Sequence, residues 1–134
     1  MSALSYNPLH CIDCNLEVLP ESLSLSDTLV ERIASWRNLY DAIDRLWLDS
    51  EEYEAWAGSQ LADIGNRVNK LGMAVRRDLD VVRRCYYWYF QDQSKEGFKS
   101  ITNCPICQNR FSVYRAGIFP QYLCEQCSII TISA

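Results

Sequence analysis

Six of the seven cysteines in this chain fall into three Cys-x-x-Cys pairs, Cys11/Cys14, Cys104/Cys107 and Cys124/Cys127, and only Cys85 stands alone. In a reducing compartment such pairs read as metal ligands before disulfides. The two C-terminal pairs carry the stronger signal. Cys104-Pro105-Ile106-Cys107 and Cys124-Glu125-Gln126-Cys127 are sixteen residues apart, inside the spacing of two-knuckle zinc sites. A Cys-x-x-Cys turn aims two thiolates at one point. A hairpin that joins two such turns completes a tetrahedral shell of four sulfurs. Thiolate softness and that geometry favour one structural zinc ion, with iron as the lesser fit. A shell of four protein thiolates has no open position, so such an ion cannot activate water.

The pair Cys11/Cys14 is open to several readings. It could hold a second metal with His10 and one further ligand, share a metal across a dimer, act as a reactive dithiol, or be two reduced cysteines in a turn. No βαβ pattern surrounds it to support a thioredoxin-like role. Cys85 alternates with aromatics and reads as a buried thiol.

The rest of the chain supplies a helical half and a strand-rich half. Ser26-Asp27 can cap a helix. From there Leu29, Ile33, Trp36, Tyr40, Ile43 and Trp47 recur at spacings of three and four, one apolar stripe on a helix. Asp49 with Glu52 resembles a capping box opening a second helix. Its stripe would be Leu61, Ile64, Val68, Leu71, Val75, Leu79 and Val82, with Gly65 and Gly72 nearly on one face. Cys85 to Phe90 is aromatic and β-favouring. Arg110 to Tyr114, with Phe111 and Val113 on one face, Tyr122-Leu123, and Ser128 to Ile132 supply further strand.

The fold expected is α+β: an antiparallel helical hairpin packed on a small antiparallel sheet that ends in a C-terminal zinc ribbon. Residues 1–134 are expected to form a single domain, with an irregular segment at 1–25, the hairpin at 26–82 and the ribbon sheet at 83–134. The start lacks the basic patch and apolar run of a signal peptide, and no run is long enough to span a bilayer. A cytoplasmic protein without membrane association is expected.

The net charge of −4 is unevenly placed. Residues 1–60 carry eleven acids and three bases, whereas residues 61–134 carry six acids and ten bases. Two surfaces follow. In the acidic half, Asp44, Asp49, Glu51, Glu52 and Glu54 surround Trp47, Tyr53 and Trp56. Charge steers encounter and aromatics anchor interfaces, so this surface fits a basic protein partner. In the basic half, Arg76, Arg77, Arg83 and Arg84 precede the aromatic strand with Trp88, and could meet phosphates while the strand stacks on bases. The sequence pI of about 4.9 weighs against a nucleic-acid domain, which usually declares itself basic. Motifs for nucleophilic, metal-assisted or phosphate-loop catalysis are absent, so no enzymatic activity is expected.

Several stretches together resemble a bacterial family described as zinc-ribbon-containing, for which nucleic-acid binding has been suggested. They are Asn7-Pro8-Leu9-His10-Cys11-Ile12-Asp13-Cys14, the helix with Trp36 and Tyr40, the glycine-containing second helix, Tyr86-Tyr87-Trp88-Tyr89, and the two C-terminal cysteine pairs in the same order. The likeness covers nearly all of this chain but only the C-terminal part of longer members. It implies a zinc ribbon at Cys104, Cys107, Cys124 and Cys127 and a recurring pair at Cys11/Cys14. The leading functional expectation is a non-catalytic zinc-ribbon protein that binds a protein partner through its acidic, Trp-rich helices. An immunity protein neutralising a bacterial toxin is one form of it, and nucleic-acid binding is the alternative.

Overall fold

The computed structural model describes residues 1–2 and 6–132. The chain divides into two compact units, Met1–Cys85 and Tyr86–Ala134. The first is helical, the second a small sheet, so the fold is α+β. Among the described residues, no helix is long and apolar enough to cross a membrane.

The helical unit is built on α1 (Asp27–Asp49), α2 (Glu54–Ala62) and α3 (Arg67–Val82). Helix α1 starts where the sequence places it: the Ser26 hydroxyl accepts the Leu29 N–H at 3.2 Å, which satisfies one of the free donors of the first turn. Its buried stripe is Leu29, Ile33, Trp36, Tyr40 and Ile43, the expected set without Trp47, which is only half-buried. The Trp36 indole N–H donates to the Val68 carbonyl at 3.1 Å, tying α1 to α3. Its ring meets Tyr40 edge-on at 5.8 Å.

The expected capping box at Asp49 and Glu52 does not form. Asp49 is the last residue of α1. The turn that follows places Glu51 at φ 53°, and the Tyr53 N–H donates to the Ser50 hydroxyl at 3.2 Å. The expected second helix is two helices, α2 and α3. The break falls at Asp63–Asn66, where the Gly65 N–H donates to the Asp63 carboxylate at 2.8 Å. That local bond competes with helix continuation. Gly65 therefore lies in the turn and shares no helix face with Gly72, which is buried on α3. Breaking a helix leaves its last carbonyls without intrahelical partners. The buried Asn69 amide fills the gap, donating to the carbonyls of Leu61 at 2.9 Å and Asp63 at 2.8 Å. Leu71 and Val82, assigned to the buried stripe, are 40% and 49% exposed.

The second unit is a four-stranded sheet of β1 (Tyr87–Trp88), β2 (Ser112–Arg115), β3 (Gln121–Cys124) and β4 (Ile129–Ile132), in the order β1-β4-β3-β2. It is mixed rather than wholly antiparallel, because β1 runs parallel to β4. The aromatic segment is also a shorter strand than expected. Tyr87 and Tyr89 donate their N–H groups to Ser128 and Ile130, both at 2.8 Å. Beyond them Gln91 takes over, its amide donating to Thr131 and the Ile132 carbonyl and its oxygen accepting the Ile101 N–H. The core gathers Tyr87, Tyr89, Phe90, Phe111, Leu123, Ile129 and Ile130. Phe111 and Val113, expected on one face, differ in burial: Phe111 precedes β2 and is buried, while Val113 is 62% exposed.

Candidate metal centre

Each knuckle of the candidate site is the tip of a hairpin. The first, Cys104–Cys107, is closed by the Asn103↔Arg110 bridge. The Cys104 N–H donates to the Asn109 carbonyl at 2.9 Å, and the Gln108 N–H returns to the Cys104 carbonyl at 3.0 Å. The Asn103 side chain reaches the Gln108 carbonyl at 2.7 Å. The second, Cys124–Cys127, turns β3 into β4, with Cys124 paired to Ile129. In both, the residue after the second cysteine is left-handed, Gln108 at φ 63° and Ser128 at φ 57°. This reverses the chain within one residue and leaves two thiols on the same side of the turn. The Asn109 amide donates to Gln126 at 3.0 Å and links the knuckles outside the sulfurs.

The four sulfurs, from Cys104, Cys107, Cys124 and Cys127, lie within 4.8 Å of one another. Cys107 and Cys124 approach to 3.7 Å. Metal–sulfur bonds of about 2.3 Å arranged tetrahedrally require sulfurs about 3.8 Å apart. The donor set therefore fits a metal ion bound by four thiolates.

Electrostatics point the same way. The Asn109 N–H, donating to Cys107, holds that thiol below its usual range. Burial pushes Cys124 up. Burial, with Cys107 and Cys104 close by, pushes Cys127 up to about 12. Four clustered thiols cannot all lose their protons unless a cation neutralises the charge.

The other sequence-predicted residues are placed as follows. Cys11 and Cys14 lie in the helical unit with no third cysteine, histidine or carboxylate donor grouped with them among the described residues. His10 does not turn to them, since its ring nitrogens face the carbonyls of Asn15 at 3.1 Å and Asn7 at 3.0 Å. Cys85 is half-buried, and burial pushes its thiol up.

The acidic surface keeps its aromatics partly in water. Tyr53 is 52% and Trp56 51% exposed, and Leu48 beside them is 59% exposed. Asp49, Glu51, Glu52 and Glu54 are exposed in the same stretch, whereas Asp44 and Trp47 are half-buried. Burial, with Asp41 nearby, pushes the Asp44 carboxyl up.

The arginine group is divided. Arg76 is buried, 3.6 Å from Asp80, and donates to the Cys85 carbonyl at 3.2 Å. Arg84 pairs with the same carboxylate at 3.3 Å. Arg77 and Arg83 are exposed, and Trp88 is half-buried in β1. The Tyr86 hydroxyl donates to the Glu125 carboxylate at 2.9 Å. Sequence reasoning passed over Asp80, Asn103, Asn109 and Asn69. Asn103 carried a readable signal, a side-chain acceptor and donor just before a Cys-x-x-Cys pair.

A search of curated proteins and of solved structures finds no match to this chain. One family model matches residues 3–91, which include the Cys11/Cys14 pair and all three helices and end before Cys104. The chain belongs to that family, described as a domain of unknown function, DUF2310.

Proposed function

We propose that this is a non-catalytic zinc-ribbon protein that captures a basic protein partner with its helical unit. Four soft thiolates at tetrahedral spacing select zinc over harder divalent ions. The closed shell assigns the ion a structural part, holding two knuckles together. Binding then falls to another surface.

The observation that carries the reading is the turn between α1 and α2. Tyr53 and Trp56 expose about half of their surface there, beside Leu48 and among Asp49, Glu51, Glu52 and Glu54. Exposed aromatics rimmed by one sign of charge combine an apolar anchor with electrostatic steering. Asp44 and Trp47 lie on the last turns of α1 and are half-buried. An immunity protein covering a basic toxin is the specific form that size and acidity favour. The nucleic-acid alternative retains Arg77 and Arg83, since Arg76 and Arg84 are held by Asp80.

The test is affinity capture with nuclease-treated and untreated extracts, using the wild type, a Glu51→Lys/Glu52→Lys/Glu54→Lys variant and Trp56→Ala. A basic polypeptide should be retained irrespective of nuclease. Loss of a buried Trp anchor should weaken it by at least about 30-fold, the equivalent of about 2 kcal/mol. Capture that survives triple charge reversal sinks the proposal. Capture abolished by nuclease and by Arg83→Ala replaces it with the nucleic-acid reading.

A further inference from the structure

The segment around Cys11 repeats the first knuckle of the metal centre bond for bond. In the metal centre, Phe111 N–H donates to the Thr102 carbonyl, Asn103 bridges to Arg110, Cys104 N–H donates to Asn109, and Gln108 N–H returns to Cys104. In the helical unit, Val18 N–H donates to the Leu9 carbonyl, His10 bridges to Glu17, Cys11 N–H donates to Leu16, and Asn15 N–H returns to Cys11. The distances in this second set, 2.8 Å for the first bond and 2.9 Å for each of the last two, are those of a well-formed hairpin. Asn15 is left-handed at φ 59°, as Gln108 is at 63°. Even the flanking side chain is matched: His10 reaches the Asn15 carbonyl just as Asn103 reaches that of Gln108.

This is therefore a formed knuckle with the backbone of the metal-centre turn rather than an irregular loop that happens to contain two cysteines. The N–H groups of Asp13 and Cys14 point at the Cys11 sulfur, and Cys14 lies beside it. Cys14 is exposed and Cys11 half-buried. A knuckle supplies two of four ligands, and its own unit contributes no others among the described residues. In the C-terminal ribbon the missing half is a second knuckle. Leu16 and Leu19, at 68% and 61% exposure, flank the knuckle with apolar surface.

We infer that Cys11 and Cys14 are half of a second four-thiolate metal site, completed by the same knuckle of a second copy of this chain. Two knuckles facing one another supply the four soft ligands and tetrahedral geometry that select zinc. Charge makes the assembly conditional. Residues 6–24 hold Asp13, Glu17 and Glu21 and no Lys or Arg. Two metal-free knuckles repel, and a divalent cation turns that repulsion into attraction. The second site thus makes dimerisation respond to metal supply, which the closed ribbon site does not do.

The test measures zinc per chain and molar mass together on the full chain reconstituted with zinc. The wild type should carry about three ions per dimer, about 1.5 per chain, and Cys11→Ser/Cys14→Ser should be a monomer with about one. A mild chelator should dissociate the wild-type dimer while the ribbon ion remains. Cys14→Ser alone, at an exposed position, should give the same loss with an unchanged helical circular dichroism spectrum, which separates ligand loss from unfolding. A wild-type monomer with one ion overturns the inference. So does a dimer that persists in the serine variants, or a monomer with two ions, which would mean that the knuckle closes its own shell. None of these outcomes depends on whether the acidic turn binds a partner.

Discussion

Metal removal should unfold one unit and spare the other. Among the described residues the α-helix lies in Met1–Cys85, as α1, α2 and α3, and the four strands lie in Tyr86–Ala134. Among its described residues the sheet unit has seven large buried apolar side chains, from Tyr87 to Ile130, and a domain of that size rarely gains more than about 3–5 kcal/mol from its core alone. Zinc held by four ligands in a small fold supplies about 10–16 kcal/mol at neutral pH. A zinc ion held by the quartet would therefore outweigh the core of the sheet unit, and removing it should leave that unit unfolded. The helical unit keeps its buried stripe and its Trp36–Val68 and Asn69 ties, none of which involves the metal. Chelation with a strong zinc chelator, followed by circular dichroism and amide hydrogen exchange, reads the two units separately. Helical signal at 222 nm should be kept, while the amides of β3 and β4 lose protection. Loss of helix in step with zinc, or β3 and β4 amides that stay protected without metal, would refute the reasoning.

Replacing Asn69 with Ala leaves the Leu61 and Asp63 carbonyls without their donor in a buried place, and should cost about 1–3 kcal/mol in urea unfolding of the helical unit. Asp80 is held below the usual carboxylate range by the Cys85 N–H first and by Arg84 and Arg76 after it. Its contribution is therefore present above the unfolded carboxylate value near pH 4 and is lost as pH falls through the lower folded value. Unfolding midpoints of Asp80→Asn should accordingly show a shallower loss on acidification than the wild type. A zinc-loaded sheet unit should weaken on acidification, because protons compete for the thiolates.

What was legible in the sequence followed from period and spacing. The α1 stripe and its Ser26 cap are written in a repeat of three and four, and the quartet of cysteines in two short intervals. What was not legible depended on contacts made at a distance. The break between α2 and α3 is stabilised by Asn69, a residue that reads as an ordinary helix position until its amide is seen on the carbonyls of Leu61 and Asp63. The parallel pairing of β1 with β4 joins segments more than forty residues apart, and no local alternation encodes its direction. The division of the arginines was open to reading but passed over: Arg76 and Arg84 lie four residues either side of Asp80 and share its carboxylate. Cys11–Cys14 was visible as a pair, but its identity as a formed knuckle rests on backbone bonds.

The most direct measurement is zinc K-edge X-ray absorption on the zinc-loaded Cys11→Ser/Cys14→Ser variant, which isolates the quartet. One ion per chain with four sulfur neighbours at about 2.3 Å is the expected result. Nitrogen or oxygen in the first shell, or zinc retained at full occupancy after Cys104→Ser is added, would contradict the assignment of Cys104, Cys107, Cys124 and Cys127 as a closed structural site.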